Sequence, residues 1–392
     1  MRTGIAFLVA GYVLSQFYRA FLAVLAPTLG AEIGATPADL ALSSGIWFIT
    51  FALMQMPVGA ALDRIGPRLT VSTLLGVGGG GGALVFALAE GPGAIHLAMA
   101  LIGVGCSPVL MASYYIFARI YSPAVFGTLA GAIIGVGSLG NIAGAAPLAA
   151  LVAAAGWRPT LLGLAAVTLL VAFTLGLFVR DPDRVEAPEA GRGSVLDLLR
   201  IPGLWAILPI MAVAYAPAAA IRGLWAGPYL AEVFGADGTT IGRVTLLMAL
   251  AMVAGNFAYG PLDRLLGTKK WGVFVGNAAA ALCLAALALW PASGIWTAAA
   301  LLAALGLAGS SFPAIMAHGR AFLPPHLLGR GVTLLNMFGI GGAGVLQFAS
   351  GRLHRAASVG APSPEAPFTA LFLFFLVPLL AGLALYLFSR DA

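Results

Sequence analysis

The chain has 392 residues, of which 61% are hydrophobic and only 9% charged. Soluble domains carry about 25% charge, so a water-soluble fold is excluded. The formal net charge of +6 does not point to nucleic acid, because the basic residues gather in short loops on one side of long apolar runs, as orientation signals do.

Runs of membrane-spanning length, about 20 residues each, recur along the whole chain. They predict twelve helices, at 5–29, 40–62, 69–89, 95–118, 126–155, 159–179, 202–231, 240–262, 271–291, 295–319, 330–352 and 367–389. The expected fold class is therefore an all-α, multi-pass membrane protein with the lipid bilayer as its solvent. Run 1 is too long for a cleaved signal peptide and carries Gln16 and Arg19 in its interior.

Arg19 lies ten residues from the exit of run 1, about 15 Å at 1.5 Å per residue, which is long for snorkelling. Tyr12, Ser15 and Gln16 share its face at i−7, i−4 and i−3. Run 2 ends in Gly59-Ala60-Ala61-Leu62-Asp63-Arg64-Ile65-Gly66-Pro67-Arg68. An aspartate at a helix end is placed to pair with the amino terminus of a neighbouring helix and with arginines of another segment, and Gly59 lets backbones approach. Gly59, Asp63, Arg64 and Arg68 therefore read as a gate, with Asp263 and Arg264 as its counterpart after run 8. Cys106 in run 4 and Cys283 in run 9 read as small buried residues with no disulfide. Run 5 holds Asn141.

The longest polar stretch, 180–200, divides the chain nearly in half and reads as a linker, with 194–200 as a short surface helix. The expected organisation is a six-helix bundle over 1–180, a cytoplasmic linker over 181–201 and a second six-helix bundle over 202–392. In run 7, Arg222 lies nine residues from the exit, with Tyr215 and Trp225 at i−7 and i+3. Met248 and Met252 in run 8 read as core. Asn336 and Gln347 in run 11 are polar groups in an apolar helix, divided between interhelical hydrogen bonding and solute contact. His96, His318, His326 and His354 lie near run ends or in loops and are given no role.

The halves repeat. Leu62-Asp63-Arg64 returns as Leu262-Asp263-Arg264, Arg119 with Pro123 returns as Arg320 with Pro324, and Arg19 is matched by Arg222, with offsets of 200, 201 and 203. Two related halves place a solute near the midplane. An even number of spans puts both termini on one side. With the termini cytoplasmic, fourteen basic residues fall inside and four outside, an asymmetry that predicts that orientation.

Over its full length the chain resembles the major facilitator superfamily. The Gly59–Arg68 loop matches the signature G-x-x-x-D-R-x-G-R-R except at Pro67, and Gly156-Trp157-Arg158 before run 6 is also common there. The resemblance implies a fold of two pseudo-symmetric six-helix halves. Gly103-Val104-Gly105 is similar to the family's R-x-x-x-G-x-G element with Met99 in the arginine position, and Gly140-Asn141-Ile142-Ala143-Gly144 is not the drug antiporters' G-P-x-x-G-G. Tyr18 to Pro27 is similar to the first helix of the organophosphate:phosphate antiporters, where an Arg eight residues before a Pro binds the phosphate. Trp225-Ala226-Gly227-Pro228-Tyr229-Leu230 is again like that branch, although Arg222 stands three residues before the Trp rather than six and run 5 lacks the branch's His. The oxalate:formate exchangers are an equal analogy. The superfamily's copper importers pair Met-x-x-x-Met with His-x-x-x-Met, but here Phe322 follows His318.

Buried cations with no acid at comparable depth ask for a negative partner that arrives and leaves. The expectation is a secondary transporter of the inner membrane, from a bacterium on the evidence of eighteen Arg to two Lys. It would move a small organic anion by alternating access, as an antiporter and as a monomer. The expected solute contacts are Arg19, Arg222, Gln16, Tyr12, Tyr215, Trp225, Asn141 and Asn336. Neither catalysis, nor a metal, nor a cofactor is expected. The alternatives are a carrier for a neutral or aromatic solute, a transporter-like sugar-phosphate receptor and a copper importer.

Overall fold

The computed structural model describes residues 2–35, 37–144, 146–183 and 195–391. Among them, twelve helices are long and apolar enough to cross a membrane. They are α1 (Gly4–Leu22), α2 (Leu42–Arg64), α3 (Pro67–Ala87), α4 (Pro92–Ile120), α5 (Val125–Ala155) and α6 (Trp157–Phe178), followed by α7 (Pro202–Phe234), α8 (Thr240–Leu262), α9 (Lys269–Leu289), α10 (Ile295–Arg320), α11 (Pro325–Ser358) and α12 (Ala366–Tyr386). Helical backbone around α1 continues over Arg2–Ile33, which leaves Arg19 well inside it. Each helix falls on one expected run. The largest difference in extent is in α11, which runs past the expected 330–352 at both ends. Most of the linker lies outside the described residues, but Val195–Leu199 forms the short helix expected there.

Two helices carry π-helical turns: Leu75–Gly80 in α3 and Ile221–Trp225 in α7. Such turns are rare and recur at functional sites. In α3 the glycine-rich sequence Leu75-Gly-Val-Gly-Gly-Gly has few side chains to hold the ordinary α register, and the wider π turn forms there. The turn lets Gly78 and Gly79 meet Gly105 of α4, where a Cβ on Gly78 would stand 2.7 Å from the Gly105 amide.

The chain forms two compact units: Met1–Tyr121, Ile133–Gly193 and Pro324–Leu334 in the first, and Ser122–Ala132, Ser194–Leu323 and Leu335–Ala392 in the second. Within the first, α2 packs on α4, α3 on α4 and α6, and α1 on α6. The second repeats this pattern, with α8 on α10, α9 on α10 and α12, and α7 on α12. Relative to the two sequence halves, two short segments change places. The start of α5 joins the second unit because Gly131 and Gly260 let α5 and α8 touch backbone to backbone, and the Thr128 hydroxyl donates to the Gly260 carbonyl at 3.3 Å. The start of α11 joins the first unit through the corresponding contact with α2.

Candidate functional site

On α1, Ser15 and Gln16 are 1% and 6% exposed and Tyr12 is 4% exposed, while Arg19 is half-buried. Gly137 of α5 leaves room for the Tyr12 ring. The guanidinium carbon of Arg19 lies 5.1 Å from the Trp47 ring centroid and 5.2 Å from that of Phe51. Those rings stack on each other at 5.0 Å with an interplanar angle of 21°, as i and i+4 residues of α2. The α2 backbone is drawn against α4 because Gly103 offers no side chain: a Cβ there would stand 2.6 Å from the Trp47 carbonyl. Cation–π contact partly replaces lost hydration, but it leaves the guanidinium hydrogen-bonding capacity open. The Arg19 Nε is buried with no hydrogen-bond partner. Sequence spacing named Arg19 but missed Trp47 and Phe51, although Trp47-x-x-x-Phe51 is a readable i,i+4 pair.

Arg222 sits inside the π turn of α7, and its Nε too is buried without a partner. The turn breaks the 3.6-residue period that was used to align Tyr215 with Arg222, so their shared face does not follow from spacing. Tyr215 is half-buried and meets Phe312 edge-on at 6.4 Å. Trp225 is held in place: its indole N–H donates to the Ser350 hydroxyl at 2.9 Å, and its ring lies 4.5 Å from the His354 imidazole. His354, given no role from sequence, is thus sandwiched between Trp225 and Phe368, the latter at 4.9 Å. Asn336 is 1% exposed, and Asn141 and Gln347 are half-buried. Among the described residues no ion pair reaches Arg19 or Arg222; the pairs present are His96–Asp39, Arg200–Asp197 and Arg330–Asp63.

At the far end of α2, the Asp63 carboxylate accepts the backbone amides of Gly329 at 2.8 Å and Arg330 at 3.2 Å, and the Arg330 guanidinium stands 3.8 Å away. An acid at a helix amino terminus satisfies donors that have no partner inside the helix. Here it caps the start of α11. The approach depends on Gly59, where a Cβ would stand 2.9 Å from the Arg330 Cα and closer still to the Thr333 hydroxyl. Arg119 adds a third tie, donating to the Pro325 carbonyl at 2.6 Å. Its repeat mate Arg320 lies over the Phe126 ring at 4.9 Å.

Arg64 and Arg68, expected in the gate, are placed elsewhere. Arg64 is exposed. Arg68 ties α3 to the end of α6: its amide donates to the Asp181 carboxylate at 2.7 Å and its Nε to the Gly176 carbonyl at 2.6 Å. The signature glycine Gly66 has φ +106°, a backbone open to glycine, with the Asp181 carboxyl packed against it. Asp181, read as the first residue of a linker, is thereby a capping group. The side chains of Pro27, Asp263 and Arg264 lie outside the described residues. Gly156-Trp157-Arg158 is structural: Gly156 has φ +83°, Trp157 donates to Glu32 at 2.6 Å, and Arg158 donates to the Ala87 carbonyl at 3.1 Å.

His318 was expected to be peripheral but is fully buried. Its Nε2 lies 2.9 Å from the Arg390 carbonyl, which only accepts, so Nε2 carries the proton and Nδ1 accepts from the Tyr386 hydroxyl at 2.6 Å. Next to it, Asp391 caps α9, accepting the amides of Lys269 and Lys270 at 3.0 Å each and the Thr268 hydroxyl. Burial alone would push the Asp391 carboxyl up, but these hydrogen bonds outweigh it and hold it below the ordinary value of 3.8. A depressed pKa contributes stability above the unfolded value and loses it as pH falls. Asp391→Ala is therefore expected to lower the melting temperature at pH 7 by a few degrees, from a cap worth about 1 kcal/mol at most at this exposed site. The gap to the parent should close as pH falls below 3.8. An equal gap at both pH values in thermal melts would show that the carboxylate charge is not what holds this end of α9.

The model of the Major Facilitator Superfamily matches residues 8–225. An uncharacterized transporter of Bacillus subtilis (strain 168), YybO, is 25% identical over 178 residues, 44% of this chain, and that alignment spans 39% of the relative's own length. Among solved structures, the chain is similar to FucP in the outward conformation, with a TM-score of 0.77, 15% identity and 99% of both chains covered. It is also similar to the human organic anion transporter MFSD10 (TETRAN), with a TM-score of 0.73, 17% identity and coverage of 97% of this chain and 99% of the other. The proton:xylose symporter XylE gives a TM-score of 0.74 at 13% identity, covering 99% and 96%. At such identities the likeness is one of fold. The twelve helices, their repeated packing and the matched model together mean that the chain belongs to the Major Facilitator Superfamily.

Proposed function

We propose that the protein is a secondary transporter that moves a small organic anion by alternating access, as an exchanger, with Arg19 and Arg222 as the anion-binding cations. The observation that carries this reading is that both arginines sit within apolar helices, with Nε buried and unbonded and no carboxylate paired with either among the described residues. A guanidinium keeps its charge at any working pH and presents a fork suited to carboxylate or phosphate. Unmatched, it is costly in the membrane; an arriving anion offsets that cost.

Exchange follows from the same electrostatics. Asp63 is committed to the start of α11, and no Asp or Glu lies midway along any helix. With no core carboxylate to neutralise the empty cations, reorientation is easiest when an anion is bound. The sequence repeat and the basic asymmetry favour both termini in the cytoplasm of a bacterial inner membrane, with the protein working as a monomer.

The test has two stages. A thermal-shift screen of purified protein against carboxylates, phosphate esters and sulfonates should find a stabilising anion, since a ligand of the folded state raises its melting temperature. In proteoliposomes, that anion on the inside should then accelerate uptake from the outside several-fold, while a pH gradient alone drives little. Stabilisation by neutral sugars only would overturn the anion reading. Strong accumulation driven by a proton gradient into vesicles lacking counter-anion would overturn exchange.

A further inference from the structure

Several of the polar atoms left unmatched in the first unit belong to α1 or lie beside it, the Ser15 Oγ among them. Gln16 is 6% exposed, and its Oε1 is buried without a hydrogen-bond partner. Trp47 is 1% exposed and its indole N–H is in the same condition. One turn along α1, so is the Nε of Arg19. Buried polar groups are nearly always paired, and each exception calls for an explanation. The exceptions here differ in kind. Arg19 and Trp47 lack acceptors, which an anion supplies. Gln16 lacks a donor, which a bare anion does not supply.

No group among the described residues donates to the Gln16 Oε1. The backbone amides of α1 are engaged in its own helix, and the rings beside Arg19 are those of Trp47 and Phe51. We propose that Gln16 is a specificity-determining residue that reads a hydroxyl on the anion held at Arg19, which makes the solute class a hydroxylated organic anion. The inference rests on the anion reading of Arg19. A hydroxyl can donate to the Gln16 Oε1, the amide atom that is buried and unbonded. Residues three apart on a helix have Cβ atoms about 5–6 Å from each other. The hydroxyl read by Gln16 therefore sits one or two carbons from the carboxylate or phosphate group. Trp47 and Phe51 form a flat apolar wall beside the same position, suited to the carbon skeleton between the two polar groups.

A site built to hydrogen-bond a hydroxyl rejects the analogue that lacks it, because its own polar group is then left unpaired. The experiment is calorimetric binding to the purified full chain with two matched pairs, lactate against propionate and glycerol phosphate against propyl phosphate. The two pairs separate a carboxylate from a phosphate headgroup. In at least one pair the hydroxylated member should bind tenfold or more tightly. Gln16→Met should bring that pair within about threefold by weakening the hydroxylated member alone, with the melting temperature unchanged. Should Gln16→Met fail to fold, Gln16→Leu takes its place, and the parent's own ratio still decides. Equal binding of both members, abolished by Arg19→Gln, would overturn the role of Gln16 and leave the anion reading standing. A preference that survives removal of the Gln16 amide would do the same. No binding by any of the four probes, with Arg19→Gln indistinguishable from the parent in transport, would overturn both.

Discussion

Replacing Arg19 or Arg222 with glutamine should cost more than tenfold in anion affinity while the protein still folds and inserts. The expected loss follows from what each side chain does in the ligand-free protein. Neither holds an acid among the described residues, and the Arg19 guanidinium lies over the faces of Trp47 and Phe51. Removing its charge breaks no salt bridge and leaves the two stacked rings in place, so the folded state should tolerate the change. The bound state should not, because a charge-assisted hydrogen bond to an ionised ligand is worth about twice a neutral one. Removing one partner of a buried charged pair commonly costs about 2–5 kcal/mol. Arg→Lys should recover only part of the affinity, since a point charge replaces a planar fork and stacks less well on aromatic faces. Normal transport by both glutamine variants would show that these cations are structural.

The second large effect is expected at the junction of α2 and α11. Asp63→Asn keeps the shape of the side chain but removes the charge that holds the Gly329 and Arg330 amides and the Arg330 guanidinium. The loss of such a cap is worth about 1–2 kcal/mol, which changes a two-state population several-fold. Gly59→Val acts at the same place by another route. Its side chain would meet the Arg330 backbone as well as the Thr333 hydroxyl, and backbone cannot swing aside. Both variants should raise the rate at which a maleimide labels a cysteine placed at the buried position 327, at the start of α11, in a background free of Cys106 and Cys283. Unchanged labelling, with and without bound anion, would mean that the Asp63 turn is no latch.

The twelve spans were legible because membrane helices announce themselves by length and apolarity, and the repeat was legible because three features recur at nearly the same offset. Arg19 and Arg222 stood out because charge in an apolar run is rare. What spacing could not reach was contact between distant segments. Trp47 and Phe51 lie about thirty residues beyond Arg19 in sequence, and only the close packing at Gly103 brings α2 into its place against α4. Asp181 looked like the start of a polar linker because nothing local to it reveals that it caps α3. His318 looked peripheral from its place near the end of a run, yet the segment after α12 folds back over it. The alignment of Tyr215 with Arg222 assumed an unbroken α-helix, and the π turn at Ile221–Trp225 is a register change that composition does not signal.

The glycine contacts between α2 and α11, and between α5 and α8, also constrain how this sequence can drift. At each junction a residue on one helix occupies the space that a glycine on the other leaves vacant: Thr333 and Arg330 against Gly59, Thr128 and Asn256 against Gly260 and Gly131. A gain of volume on either side is tolerated only if the facing residue shrinks, so these positions inherit change in pairs. Because the chain is a duplicated pattern, the same pairing rule operates twice, at places some two hundred residues apart. The two junctions are therefore free to diverge in chemistry while each stays matched within itself.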